Sequence, residues 1–107
     1  MKASNMRRNL MRFAFIIMGE NFDSQRDCAS IHDGGVQTIG VSSLEEACEV
    51  SKKLYEEGID CIELCGAFGE AGAKSIIDAT ENKIPVGYVT HLQEQDEIFA
   101  KVFGGML

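Results

Sequence analysis

Three side chains in this chain of 107 residues could do chemistry together: the carboxylate of Glu63, the thiol of Cys65 and the imidazole of His91. Glu63 sits inside the apolar run Cys61–Cys65, on the same strand face as both cysteines. A carboxylate there must be solvated, paired or protonated, because burying even a neutral polar group unpaired costs ~2–7 kcal/mol. A raised pKa would suit general acid–base work. An ion pair with Lys74 or Lys83, or a place in a subunit interface, would satisfy the same residue without any catalysis. Cys65 ends that strand just ahead of a helix, and helix N-termini and a nearby imidazolium both favour the nucleophilic thiolate. A cysteine at a strand end is also simply a small hydrophobe. His91 precedes the last helix, whose dipole favours the neutral ring, fitting a base, a hydrogen-bonding contact or a metal ligand.

Between Cys65 and the next helix runs Gly66-Ala67-Phe68-Gly69. Two glycines let backbone amides approach a ligand, and the helix start favours negative charge, so the turn could cradle an anion. It matches neither GxGxxG nor GxxxxGK[ST], and Glu70 in the helix's first turn would compete with a bound phosphate. In parallel α/β sheets ligands gather beyond the carboxyl ends of the strands. Four segments would meet at that edge: Gly19-Glu20-Asn21, Ser42-Ser43, Cys65 to Gly69, and Thr90-His91. Candidate catalytic residues are therefore Glu63, Cys65 and His91, and candidate ligand contacts are Glu20, Asn21, Gly66, Phe68, Gly69 and Thr90. No metal site is expected, since neither HxxxH nor CxxC spacing occurs, and no cofactor is expected. His32 reads as a surface residue at a hairpin tip.

The elements that must position these groups are those of an α/β domain with a mainly parallel four-stranded sheet and flanking helices. Phe13–Met18 is continuously apolar, as a central strand buried on both faces would be. Residues 19–35 admit two readings. Asp23 could cap a helix through Ile31, or Asp33-Gly34-Gly35 could turn a hairpin between CASIH and VQTIGV, adding a strand near residues 27–39; the hairpin is preferred. Ser43 and Glu46 form a capping-box pair for a helix with apolar Leu44, Ala47, Cys48, Leu54 and Tyr55 on one face, ended by Gly58. Cys61–Cys65 is the next strand, followed by a helix over 69–81 whose Gly72 permits close packing. Pro85 opens a strand through Thr90. A last helix over 93–103 is expected to pack Ile98, Phe99, Val102 and Phe103 inward. The crossovers are expected to be right-handed, and strand order 2-1-3-4 is the expectation, with the hairpin's added strand uncounted. A partial barrel assembled from copies, and a ferredoxin-like sandwich, are the competing architectures.

Length and a hydrophobic content of 45% fit one domain with one core. Residues 1–12 read as a flexible leader and 13–107 as the domain. All four leader charges are basic, while from Phe13 onward 6 basic face 17 acidic side chains. A body of that sign repels phosphate backbones, which argues against nucleic acid. The basic start and FAFIIM lack the length and cleavage pattern of a signal peptide, and no run suits a membrane span. Four cysteines without CxxC spacing then read as free thiols in the cytoplasm. Cys61 and Cys65, ~13 Å apart on one strand, cannot pair with each other.

The runs FAFIIMGENFD, Gly40 to Lys74 and KIPVGYVTH, with IELCG-x-FG and PVG-x-VTH as their specific parts, resemble a domain-of-unknown-function family of small bacterial proteins over about Met11 to Phe103. The resemblance implies that residues 1–10 are an added leader and carries no activity or site residue. The primary expectation is a homo-oligomer binding a small, anionic metabolite at the carboxyl edge of the sheet. The alternative is a small lyase, isomerase or hydrolase using Glu63 or His91 for proton transfer and Cys65 as nucleophile. A third reading is self-association through an edge strand and the Phe99, Phe103, Met106, Leu107 end.

Overall fold

The computed structural model describes residues 11–104. Its elements are β1 (Phe13–Met18), β2 (Cys28–Ile31), β3 (Val36–Val41), α1 (Leu44–Glu56), β4 (Cys61–Leu64), α2 (Gly69–Ala79), β5 (Val86–Tyr88) and α3 (Asp96–Phe103). Short 3-10 turns, Gly66–Phe68 and Gln93–Gln95, precede α2 and α3. One five-stranded sheet runs in the order β2-β3-β1-β4-β5. All neighbours are parallel except the β2–β3 hairpin. The four parallel strands stand in the expected order, with β2 as a fifth at the edge. The sheet's parallel pairing excludes the antiparallel ferredoxin-like alternative.

Residues 19–35 combine parts of both readings. Asp23 does cap a turn: its side chain accepts the Gln25 N–H at 2.9 Å and its carbonyl accepts the Asp27 N–H at 2.7 Å. The turn stops there, because Cys28–Ile31 pairs with Val36–Ile39. His32, Asp33 and Gly34 take positive φ at the hairpin tip, which Asp and Gly tolerate best.

That choice decides what the sheet carries on each side. The crossovers β3-α1-β4 and β4-α2-β5 run in the same direction, so their shared right-handedness places both helices on one face. A helix between β1 and β3 would have run the other way and covered the second face; a strand cannot. On the covered face Ala14, Ile16, Ile39, Val41, Ile62 and Leu64 meet Ala47 and Leu54 of α1 and Ala73 and Ile76 of α2 in the core. Phe13, Phe15, Ile17, Val36, Thr38, Cys61 and Glu63 alternate onto the opposite face and are only half-buried. The expectation that β1 is buried on both faces therefore holds for one.

The ends of α1 follow from its capping residues. Ser43 Oγ accepts the Glu46 N–H at 3.0 Å. At the other end the Ile59 N–H reaches the Leu54 carbonyl and the Gly58 N–H that of Tyr55, with Gly58 at φ 99°. This is a Schellman ending, and it buries Ile59 against the core.

Two expectations fail at the ends of the chain. Arg12, assigned to the leader, is pinned to the domain: its N–H donates to Asp60 Oδ2 at 2.8 Å and its carbonyl accepts the Asp60 N–H at 2.7 Å. And α3 does not turn its apolar side inward. Ile98, Phe99, Val102 and Phe103 are 55, 38, 64 and 41% exposed. The Val89 N–H still donates to the Leu64 carbonyl at 2.9 Å, and beyond it α3 makes its main contact with the 3-10 turn before it rather than with the sheet. Its 3-4 periodicity is real, but its apolar side stays exposed and packs on no strand of the sheet.

Candidate functional site

The parallel strands end together at Met18, Val41, Leu64 and Tyr88, and the segments that follow them form one rim. Beyond β1, Gly19, Glu20, Asn21 and Phe22, with Arg26 and Asp27, line an open cleft of about 420 Å³. Phe22 folds back because Gly19 and Gly40 leave room for its ring: a Cβ on either would sit 2.9 Å from it. Arg26 is held in this wall. Its guanidinium donates to both carboxylate oxygens of Asp27, at 3.3 and 3.0 Å, and to the Asn21 carbonyl at 3.0 Å. The hydrogen bond from Arg26 is the main reason the Asp27 carboxyl is held below its usual pKa.

Beyond β3, Glu46 ties three segments. Its Oε1 accepts the Ser42 N–H at 2.7 Å and the Ser42 hydroxyl at 3.0 Å, and its Oε2 accepts the Ser24 N–H at 3.0 Å. These bonds, the Ser42 N–H first, bring its pKa to about 2. The sequence pairs Glu46 with Ser43; the carboxylate instead anchors the Gly19–Asp27 loop to the start of α1.

Cys65 follows β4, and its Sγ accepts the Met18 N–H at 3.3 Å, joining the β1 and β4 ends. Phe68 lies in the core at 5% exposure, and Gly72 one turn on leaves it space, since a Cβ there would come within 3.0 Å of the Phe68 Cβ. Gly69 needs its missing side chain: φ is 63° and ψ −174°. Gly66 passes beneath the Val89 carbonyl, 3.5 Å from where its Cβ would be, and so packs the turn against the segment that carries Thr90. Thr90 itself is exposed.

Glu63 lies one position before the rim on the helix-free face, between Phe15 on β1 and Gly87 on β5. Its carboxylate occupies the space a side chain at 87 would fill, 2.6 Å from an added Cβ. The Cys61 thiol is its one hydrogen-bonding neighbour among the described residues, at 3.9 Å. The expected partner Lys74 is taken by Glu70 at 3.2 Å. Burial, followed by the charge of Glu63, raises the Cys61 pKa.

His91 is turned toward α3. Its Nε2 donates to Asp96 Oδ1 at 2.7 Å, and its ring stacks on Phe99 with centroids 3.8 Å apart and planes 8° from parallel. Among the described residues no hydrogen bond joins Glu63, Cys65 and His91 to one another. The rim thus gathers Glu20, Asn21, Cys65, Gly66, Gly69 and Thr90, while Glu63 faces the bare side of the sheet and His91 braces the last helix. Sequence reasoning missed Gly87, Asp96 and Phe99 as the residues that place Glu63 and His91. A glycine inside a strand does mark a close approach, but nothing in the sequence says which side chain makes it.

No group of three or more His, Cys, Asp or Glu among the described residues is arranged to hold a metal ion. All four cysteines are free. No helix among the described residues is long and apolar enough to cross a membrane.

Neither the comparison with curated proteins nor that with solved structures returned a match. A family model does match, over residues 11–104, which are the residues that build the sheet, the rim and the projecting helix. The chain therefore belongs to the family of unknown function DUF6506.

Proposed function

We propose that this domain is a cytoplasmic ligand-binding module that works as a homo-oligomer and takes a small metabolite at the carboxyl edge of its sheet. The observation that carries this reading is the cleft of about 420 Å³ at the mouth of β1, where the candidate residues Glu20 and Asn21 form one wall. Asn21 supplies a donor and an acceptor, Glu20 an acceptor, and Thr90 with the Gly66–Gly69 turn flanks the same rim. Arg26 is already engaged by Asp27, so an anionic group would be received by the backbone at the start of α2 rather than by this guanidinium.

Thermal-shift and titration calorimetry screens with phosphate-, carboxylate- and amine-bearing metabolites test the reading. A ligand present at ~100 times its Kd should stabilise the fold by ~2.7 kcal/mol. Asn21→Ala should abolish that gain without lowering the unliganded midpoint. Absence of stabilisation by every class, or a gain indifferent to Asn21→Ala, overturns it.

A second reading, a small lyase, isomerase or hydrolase, is favoured by Glu63, a half-buried carboxylate without a cationic partner among the described residues, and would add Cys65 as a nucleophile. Gly87→Ala displaces that carboxylate while keeping its charge, because only the flexible end of Glu63 occupies the space. A turnover that survives both Glu63→Gln and Gly87→Ala rules out Glu63 as the base. Iodoacetamide reactivity of Cys65 near neutral pH no greater than that of a free thiol rules out the nucleophile.

A further inference from the structure

The chain carries two incompletely covered apolar surfaces that do not meet. One is the helix-free face of the sheet, with Phe13, Phe15 and Ile17 on β1, Val36 and Thr38 on β3, and Ile31 at the edge. Predominantly parallel sheets are stable with both faces covered, and none of the described helices lies on this one. The other is the apolar side of α3.

We propose that the last helix is an exchanged arm: α3 of one copy packs on the helix-free sheet face of a second copy, and reciprocally, in a two-fold dimer. This rests on the homo-oligomer part of the reading above and names the contact that builds it.

Three observations support the exchange. First, the arm is a formed unit. The His91 hydrogen bond to Asp96 and its stack on Phe99 fix the start of the helix relative to the strand-end segment, and Phe99 packs on Phe103 at 5.7 Å between ring centroids. Second, the surfaces match in chemistry. The arm offers Ile98, Phe99, Val102 and Phe103, with Leu92 ahead of them, and the sheet face offers aromatic and β-branched side chains around a single carboxylate, Glu63. Third, the area suffices. At ~150–250 Å² per large side chain, the exposed fractions of these five residues amount to on the order of 400 Å² on one arm. The sheet face gives less, since all its residues but Ile31 are half-buried, so for both arms and both faces of a two-fold pair burial reaches on the order of 1,200 Å², the lower end of a stable complex. The expectation that Phe99 and Phe103 serve self-association acquires a receptor surface; Met106 and Leu107 lie outside the described residues.

Sedimentation of the full chain at micromolar concentration tests the exchange. The wild type should sediment at twice the 11.7 kDa chain mass. Ile98→Glu with Val102→Glu should give a monomer, with circular dichroism unchanged because neither residue belongs to the core. Thr38→Lys, which puts a charge in the middle of the sheet face, should also give a monomer; if it does not fold, Ile31→Lys at the exposed edge of that face takes its place. Mixing the arm variant with the face variant leaves one intact arm and one intact face per pair, so a heterodimer should return with an affinity at least ~10-fold below wild type. A monomeric wild type overturns the homo-oligomer reading along with the exchange. A dimer that survives the arm variant, or one that survives the face variants because two arms pair with each other, overturns the exchange alone.

Discussion

Replacing Glu46 by alanine removes the acceptor for the Ser42 N–H, the Ser42 hydroxyl and the Ser24 N–H at once. Hydrogen bonds to a charged group contribute ~1.5–3 kcal/mol each, but this carboxylate is within reach of solvent and its bonds are not independent. A fall of its pKa from 4.5 to about 2 corresponds to ~3 kcal/mol at most, and solvent screening reduces this to ~2 kcal/mol. Because the folded-state pKa is depressed, that contribution is complete above the unfolded value near 4.5 and is lost as pH falls through about 2. Urea denaturation of wild type and Glu46→Ala at pH 7, 4 and 2.5 reads it directly. The expected difference is ~2 kcal/mol at pH 7, equivalent to ~8–16 °C in Tm, shrinking steadily toward the most acidic point. Other carboxylates titrate in both proteins and cancel in the difference. A difference below ~0.5 kcal/mol at pH 7, or one that does not shrink with acid, refutes the role assigned to this side chain. The same variant frees the Gly19–Asp27 loop from α1 and should weaken any ligand held in the cleft beside it.

Ser51 is fully buried in α1 with a hydroxyl that finds no partner among the described residues, so Ser51→Ala should raise stability by ~1 kcal/mol in the same assay. Gly72→Ala should lower stability by ~1–3 kcal/mol despite alanine's higher helix propensity, since the new methyl meets the Phe68 Cβ at 3.0 Å. Alkylation followed by peptide mapping at pH 8 should label exposed Cys28 first and Cys48 and Cys61 last, because burial raises both of the latter pKa values. Glu63→Gln should speed Cys61 selectively by removing a neighbouring negative charge.

The sequence shows the local chemistry of each element more plainly than the surface it packs on. The cap at Ser43, the Gly58 ending and the apolar run of β1 are properties of a few adjacent residues, and each stands where its pattern puts it. The side of the sheet on which α1 and α2 lie follows from crossover handedness, which is nearly invariant, whereas the strand order is not fixed by any local pattern. Residues 19–35 are ambiguous in sequence because Asp23 and Asp33-Gly34-Gly35 each carry a sound turn signal, and the hairpin wins only through its pairing with β3. That outcome strips the second face of the sheet of a helix, which no local pattern announces. Ile98, Phe99, Val102 and Phe103 stay exposed for the same reason: periodicity identifies an apolar side but not the surface that covers it. At the rim, the gathering of Glu20, Asn21, Cys65 and Thr90 follows from strand direction. The orientations of Glu63 and His91 depend on Gly87, Asp96 and Phe99, whose roles exist only after folding.

The most direct test of the rim as a binding site is amide chemical-shift mapping of the uniformly labelled chain, titrated with whichever metabolite class stabilises it. Shifts concentrated on Gly19–Asn21, Cys65–Gly69 and Thr90–His91 are the result expected. Shifts concentrated instead on the cleft of about 360 Å³ between the hairpin and α1, at Gln25, Cys28, Gln37 and Lys53, would place the ligand elsewhere and contradict it.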